Sequence, residues 1–117
     1  MEFYSNNKIL PLDMLLDGLV EKFNPENAKD LDITYQFIFK EYKEPVYLIV
    51  KNQAARLLPK FQTPEKVDTI LTTTHETWQK ICFKQLSGKK ALLLGMIKCK
   101  GSLKNFASIP KIFDKEI

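Results

Sequence analysis

The stretch that decides the fold is VDTILTTTHETW, which runs from Val67 to Trp78. Its first half is rich in threonine and isoleucine, residues that favour a β-strand. Thr73 and Glu76 have the spacing of a capping box, in which two side chains satisfy each other's backbone N–H groups at the start of a helix. A helix is therefore expected over about 74–83, directly after the strand.

Three more strands are predicted upstream of this stretch. Apolar residues alternate with more polar ones from Ile33 to Phe39, the period of two that indicates a β-strand. The run over 46–50 is continuously β-branched and aromatic, and a third strand is expected over 56–61, where Pro59 confines it to an edge or a bulge. Because the turns between them are short, these strands are expected to pair in the antiparallel sense.

Helices are predicted at both ends of the chain. Over 11–23, apolar residues recur at the spacing of one helical face. After the central helix, an apolar segment over 89–94 and a fifth strand over 96–100 lead to a closing helix that starts after Gly101. Helices in these positions must cover one face of the sheet. The expected fold class is α+β, with a five-stranded, mainly antiparallel sheet.

The size of the chain indicates a single domain over 1–117. It has 117 residues and a mass of 13.6 kDa, with 44% hydrophobic and 27% charged residues, which excludes intrinsic disorder. The longest apolar run, 91–97, is too short to span a bilayer. The polar start of the chain lacks the pattern of a signal peptide, so a cytoplasmic location is expected.

Positive charge is concentrated at the end of the chain. The net charge is +4, and from Lys80 onwards nine lysines stand against two acidic residues. This excess predicts a cationic surface for anionic membranes, with Lys98, Lys100 and Lys104 as the head-group contacts, although a merely solvated lysine face explains it equally well. Nucleic acid is not expected as a partner, because Arg56 is the only arginine.

Catalytic motifs are scarce in the sequence. It has one histidine, His75, two cysteines, Cys82 and Cys99, and no glycine-rich phosphate loop. No zinc site has its usual ligand spacing, and no cofactor is expected. His75 is expected to face solvent in the first turn of its helix. Only Cys99 with His75 could serve an enzyme that acts on an acyl thioester, so the prediction is that the protein is not an enzyme.

Four motifs in order make the sequence resemble the sterol carrier protein type 2 domain family. Two of them are VDTILTTTHETW and ALLLGMIKCKG, over 67–78 and 91–101. TYQFIFK and VYLIVKN, over 34–40 and 46–52, resemble the paired early strands of the family. The glycine turn that usually joins the second and third strands is missing here, as are other loop residues near the expected tunnel mouth.

The resemblance implies a hydrophobic tunnel between the sheet and the helices. Members of the family bind fatty acids, fatty acyl-CoAs, sterols or phospholipids, and some transfer them between membranes. A lipid or fatty acyl ligand without catalysis is therefore the implied function. The implied lining residues come from the sheet and the helices, with Leu92, Leu93 and Met96 at the entrance. The full predicted lining is Phe37, Phe39, Leu71, Trp78, Ile81, Leu92, Leu93, Met96 and Phe106.

One further alternative stays open at this point. Thirteen aromatic residues and a leucine cluster are more often plain core than cavity lining. A non-catalytic accessory or protein-interaction domain with a filled cavity would have the same sequence pattern. The presence or absence of a pocket distinguishes the two hypotheses.

Overall fold

The structure is a computed structural model and describes residues 8–115. Within this range the chain forms five strands and four α-helices, with a short 3₁₀ turn after the first helix. The elements are α1 (Leu12–Glu21), the 3₁₀ turn (Pro25–Ala28), β1 (Asp32–Phe39), β2 (Val46–Lys51), β3 (Ala54–Leu57), β4 (Thr69–Thr73), α2 (His75–Cys82), α3 (Gly88–Leu93), β5 (Ile97–Gly101) and α4 (Leu103–Ile112).

The five strands form one open, mixed sheet in the order β3-β2-β1-β4-β5. Three of the four pairings are antiparallel. The short turns predict two of them, β1–β2 and β2–β3, whereas two helices lie between β4 and β5. The central pair, β1 with β4, is parallel, with Phe37 opposite Leu71. The expected α+β fold class is confirmed, and the parallel pair follows from the long connection over 58–68, which returns the chain from the β3 edge to the middle of the sheet.

The helices cover the face of the sheet to which the odd-numbered residues of β1 point. Tyr35, Phe37 and Phe39 are at most 1% exposed, whereas Ile38 on the opposite face is 36% exposed. The Tyr35 hydroxyl donates a hydrogen bond of 2.7 Å to the carbonyl of Asn105 in α4. Alternation along β1 therefore separates a face packed under helices from an open face.

The start of α2 differs from the capping box that the sequence predicts. The N-cap is Thr74, whose hydroxyl accepts a hydrogen bond of 3.1 Å from the Thr77 N–H. Thr73 is instead the last residue of β4, and its hydroxyl donates to the carbonyl of Met96 at 2.9 Å. The prediction was one residue early, because Thr73 is still needed to pair with Ile97 of β5.

His75 is buried, and the expectation that it faces solvent was wrong. It is 8% exposed, because the residues before α1 pass over the first turn of α2. The His75 Nε2–H donates to the Leu10 carbonyl at 2.7 Å, so Nδ1 accepts from the Tyr42 hydroxyl at 2.8 Å. Gln79, one turn later, holds the same segment through the Leu10 N–H and the Lys8 carbonyl.

Two prolines bear on the remaining element boundaries. The third strand is Ala54–Leu57 and ends before Pro59, because proline cannot donate to the ladder. Pro110 predicts either a kink or an early end of the closing helix. It lies inside α4, which continues to Ile112. None of the helices within residues 8–115 is long and apolar enough to cross a membrane.

The connection from β3 to β4 is tied to β1 by a polar clamp. The Thr34 N–H donates to the Asp68 carboxylate at 2.8 Å, and the Asp68 N–H donates to the Thr34 carbonyl at 2.9 Å. The Lys66 ammonium donates to the same carboxylate at 2.6 Å. Desolvation alone would raise the pKa of Asp68, but Lys66 and the Thr34 amide hold it below its usual value. This clamp sets β4 beside β1.

Candidate ligand-binding cleft

An apolar cleft of about 500 Å³ lies within the helical layer. Its walls come from α1, α2, α4 and the segment that joins α2 to α3, together with Leu10 before α1. No strand residue is part of this lining. The lining residues are Leu10, Met14, Leu15, Gly18, Leu19, Lys22, Trp78, Ile81, Cys82, Phe83, Lys84, Leu86, Ser87, Gly88, Ile109, Pro110, Phe113 and Asp114.

Glycine keeps the cleft open on the side of α1. Gly18 lies in the middle of this helix, and a Cβ added there would have no atom within 4 Å. Leu15, about one turn before it, and Leu19, the next residue, both belong to the lining. The apolar face of α1 therefore has a gap at its centre, and the neighbouring helices do not fill that gap.

Trp78 forms the floor of the cleft and separates it from the sheet. The indole is 1% exposed and meets the ring of Phe37 edge to face, with centroids 5.0 Å apart. Its Nε1–H is buried and has no hydrogen-bond partner within the described residues. Buried polar groups without partners are uncommon in protein cores, and this one belongs to a residue of the cleft lining.

The polar groups of the cleft lie mainly on two of its walls. Lys22 ends α1, and Lys84 and Ser87 lie in the α2–α3 segment. The Asp114 carboxylate accepts a hydrogen bond of 2.8 Å from the Asn24 side chain, which ties the end of the chain to the residues after α1. Around a mainly hydrocarbon interior, the cleft thus has two cationic side chains and one paired carboxylate.

Cys82 in the cleft wall is not an activated nucleophile. Burial raises the pKa of its thiol to about 11, and the nearby Lys22 ammonium lowers it only in part. A thiol with so high a pKa is protonated at neutral pH, and the thiolate is the reactive form. Cys99 lies on β5, outside the cleft, and burial raises its pKa as well.

The enzyme alternative required His75 to activate Cys99. Both ring nitrogens of His75 are already engaged, by Leu10 and by Tyr42. The Cys99 thiol lies instead 3.9 Å from the carbonyl oxygen of Ser102. The structure shows no contact between the two side chains within residues 8–115. In the same range, no three His, Cys, Asp or Glu side chains group as metal ligands would.

Two of the nine predicted lining residues, Trp78 and Ile81, line the cleft. The sheet residues Phe37 and Leu71 are fully buried, and Phe39 is 1% exposed, so these three lie in the packed core behind the indole. The tunnel expected between sheet and helices is filled at this point by aromatic rings. As ligand contacts, all nine residues remain predictions.

The remaining predicted lining residues lie outside the cleft. Phe106 of α4 is buried, with its ring 3.1 Å from the position a Cβ on Gly88 would take. Leu92 and Met96 are partly buried against the core, while Leu93 is 76% exposed. The predicted head-group contacts are all exposed, two on β5 and one in the first turn of α4. They are Lys98, Lys100 and Lys104, and none of them lines the cleft.

Most of the cleft was missed by the sequence analysis. The missed lining comes from α1, from the α2–α3 segment and from the end of α4. One signal was available: Gly18 borders the apolar stripe of α1, at a position where any larger apolar residue would have widened it. The other contributors, such as Leu86 and Phe113, have no local pattern that distinguishes them from core residues.

Comparison with solved structures identifies the class of fold. Sterol carrier protein 2 from Yarrowia lipolytica superposes with a TM-score of 0.62 and 23% identity, covering 87% of this chain and 85% of that one. Palmitated SCP2L2 from Aedes aegypti gives a TM-score of 0.66 at 13% identity, covering 92% of this chain and 100% of that one. The resemblance to the sterol carrier protein 2 domain is thus confirmed at the level of the fold.

The family can also be stated. Residues 6–116 match the family described as alkyl sulfatase C-terminal, and the chain belongs to this family. The sec-alkylsulfatase Pisa1 from Pseudomonas sp. superposes with a TM-score of 0.81 at 22% identity and covers 92% of this chain. The chain spans only 17% of the length of that sulfatase. A search of curated proteins found no match.

Proposed function

We propose that this domain binds the apolar chain of an amphiphilic molecule in the cleft between α1, α2 and α4. The observation that carries the proposal is the cleft itself, about 500 Å³ with mostly hydrocarbon walls. Pockets for small molecules occupy about 300–1,000 Å³ and combine such walls with a few polar groups. Here the polar groups are Lys22, Lys84, Ser87 and Asp114.

The energetics of burial support such a ligand. Moving about twelve methylene groups out of water contributes on the order of 10 kcal/mol before ordering costs. A micromolar dissociation constant corresponds to about 8 kcal/mol, so useful affinity is attainable even after part of that gain is lost to ordering. The mechanism is reversible burial, and we propose that the domain itself catalyses no reaction.

Similar proteins suggest which ligands to test first. One solved structure of the same fold is described as palmitated, and another belongs to a sec-alkylsulfatase. Long-chain fatty acids and alkyl sulfates share an unbranched chain with an anionic head group. We place these two ahead of fatty acyl-CoAs, sterols and phospholipids, and transfer of the ligand between membranes belongs to the same proposal.

A second candidate function follows from the family match. The region of the sulfatase that resembles this chain is a small part of a longer protein. We propose that a domain of this kind can hold the alkyl tail of a substrate whose ester is cleaved by a separate catalytic domain. The isolated chain should then bind octyl sulfate without releasing inorganic sulfate. Sulfate release by the purified chain would contradict both candidates.

The accessory-domain alternative predicts a filled interior. It requires that no pocket be available, whereas α1 leaves open space at Gly18. The packed region behind Trp78 fits that alternative, but the cleft in front of the indole does not. A ligand-binding domain is therefore the better supported function.

Trp78 provides a direct test, because it is the only tryptophan of the chain. Its fluorescence should be quenched when dibromostearate is titrated into the protein, since bromine atoms quench only at short range. Palmitate added afterwards should compete and restore the signal. An indole that stays unquenched up to solubility-limited dibromostearate would contradict the proposal.

A blocking variant and a matched control sharpen the test. Gly18→Phe places a ring in the open space of the cleft, whereas Gly18→Ala adds one methyl group at the same position. We expect Gly18→Phe to weaken the apparent affinity for dibromostearate at least tenfold. Gly18→Ala should leave that affinity within about twofold of the wild type. Thermal unfolding of both variants checks that the fold is intact. Equal binding by the two variants would show that the ligand lies elsewhere.

A further inference from the structure

Two adjacent leucines project from the end of α3. Leu93 is 76% exposed and Leu94 is 61% exposed, and Gly95 follows them with φ at +74°. We refer to Leu93, Leu94 and Gly95 as the leucine tip. Single exposed apolar residues are normal on protein surfaces, but two bulky neighbours at one projecting turn are not.

The leucine tip is held firmly by the opposite side of α3. Ala91 is fully buried and Leu92 packs against the core. The Met96 N–H donates to the Ala91 carbonyl at 2.8 Å and closes the turn behind the tip. The exposed leucines therefore stand on an anchored helix end, and their exposure does not come from a loosely attached loop.

Lysines surround the leucine tip. Lys89 and Lys90 precede Leu93 and Leu94 by four residues each, which places them on the same helical face. Lys98 follows Gly95 by three residues, so its Cα lies within about 11 Å of the tip along the chain. The sequence contains no aspartate or glutamate between Glu76 and Asp114. The segment that carries the tip is therefore apolar at Leu93 and Leu94 and cationic on either side of them along the chain.

We propose that the leucine tip inserts into the surface of an anionic lipid membrane while the surrounding lysines contact the head groups. Charge complementarity favours an anionic membrane as the partner, because each lysine near such a bilayer raises the affinity of the protein for it about fivefold. Two leucines reach the boundary between head groups and acyl chains, where apolar side chains leave water. This docking is independent of whether the cleft holds a ligand.

The size and charge of the patch argue against a protein partner. A stable protein interface buries about 800 Å² on each side, far more than two leucine side chains can supply. A second copy of the chain would bring two sets of lysines together, and their repulsion would oppose the contact. A membrane needs neither a matched surface nor a large area. The observations therefore favour lipid over both alternatives.

Docking in this way would place the cleft close to the membrane. Gly88 is the first residue of α3 and also part of the cleft wall. With six residues, α3 is about 9 Å long, so the wall and the tip are separated by about that distance. A ligand leaving the cleft would have only a short path to the bilayer surface.

Vesicle sedimentation tests the proposal with variants at two places. The full chain is mixed with phosphatidylcholine vesicles that contain or lack 30 mol% phosphatidylglycerol. The first variant is Leu93→Ser with Leu94→Ser, and the second is Lys89→Gln with Lys90→Gln. The control is Lys60→Gln with Phe61→Ser. Phe61 is 83% exposed and follows β3, whereas the leucine tip precedes β5. These two strands are the opposite edges of the sheet, about 19 Å apart.

The wild type should bind the anionic vesicles and lose most of that binding as salt rises from 0.1 to 0.5 M. The leucine variant and the lysine variant should each bind anionic vesicles at least tenfold more weakly than the wild type. The control variant should stay within twofold of the wild type. Equal binding to both vesicle types would overturn the proposal. So would a control that weakens as much as the leucine variant, or a dimer in gel filtration that the leucine variant abolishes.

The same assay separates this proposal from the proposed function. Gly18→Phe alters the cleft but leaves the leucine tip unchanged, so it should bind anionic vesicles like the wild type. If this variant loses fatty acid binding but still binds vesicles, the substitution has blocked the cleft and left the docking surface intact. Failure of the leucine and lysine variants to weaken sedimentation would overturn the docking surface even if the cleft binds its ligand. Circular dichroism confirms that the exposed substitutions leave the fold intact.

Discussion

The interface between sheet and helices and the cleft between the helices are both built from apolar residues, but one is filled and the other is open. Phe37 and Phe39 stack 6.0 Å apart under the indole of Trp78 and leave no lining surface on the sheet. On the other side of that indole, Gly18 faces open space. The difference lies in side-chain volume at a few positions and not in hydrophobicity.

This comparison shows how one layer can be both core and binding site. The aromatic rings of β1 supply the stability that holds α2 in place, and α2 then presents Trp78 and Ile81 to the cleft. A cavity costs stability in proportion to its volume, about 24 cal/mol per Å³ for dry engineered cavities. Dense packing behind Trp78 therefore offsets the loose packing in front of it.

The largest expected effect is on the packed side. Phe37→Ala should lower the free energy of unfolding by about 3–5 kcal/mol, because the ring is fully buried and contacts both Phe39 and Trp78. Urea titration followed by circular dichroism measures the change.

Ile81→Ala gives the matched measurement on the cleft side. Ile81 is only partly buried and borders the open space, so its loss should cost about 1–2 kcal/mol. Equal losses for Phe37→Ala and Ile81→Ala would show that the two regions are packed alike and would break the comparison.

The two cysteines give a second comparison, this time in reactivity. Because burial raises the pKa of Cys82 to about 11, only about 0.1% of this thiol is ionised at pH 8. An unperturbed thiol is about a quarter ionised at that pH, so the smaller thiolate fraction alone should make Cys82 react with a disulfide reagent about two hundredfold more slowly. Its rate should rise about tenfold per pH unit up to pH 10.

Single variants assign the two rates. Cys99→Ser leaves the thiol of the cleft wall, and Cys82→Ser leaves the thiol of β5. Palmitate should slow the reaction of Cys82 further and leave that of Cys99 unchanged. Protection of Cys99 by palmitate would place the ligand on the wrong side of the molecule for the proposed cleft.

The smallest expected effect is a gain. Gly18→Ala should raise the free energy of unfolding by about 0.5–1 kcal/mol, because alanine favours the helix interior and meets no atom within 4 Å. Thermal unfolding detects this as a higher midpoint. A lower midpoint would mean that the space at Gly18 is not open in solution.

The sheet could be predicted from the sequence to a large extent. The alternation from Ile33 to Phe39 predicts β1, because a strand half covered by helices must separate its two faces. The strand and helix of 67–78 follow from local propensity and a capping pattern that is off by one residue. These features depend on residues that are close in sequence, and alternation, propensity and capping patterns describe such residues.

The cleft could not be predicted in the same way. Whether Gly18 leaves a gap depends on how α2 and α4 approach α1, and no local pattern encodes that approach. His75 is polar and lies in a first helical turn, which favours exposure, but Leu10 covers it from 65 residues away. The parallel pairing of β1 with β4 likewise depends on the connection over 58–68, which carries the chain from the edge strand β3 to a position beside β1.

That connection has a consequence for how the chain folds. The hairpin pairings β1–β2 and β2–β3 join segments close in sequence, whereas the clamp between Thr34 and Asp68 joins residues 34 positions apart. Closing the longer loop costs more chain entropy before it gains any contact. The two hairpins should therefore form early, and the later docking of β4 beside β1 should set the folding rate. The central strand, flanked on both sides, should then retain its amide protons longest in hydrogen exchange.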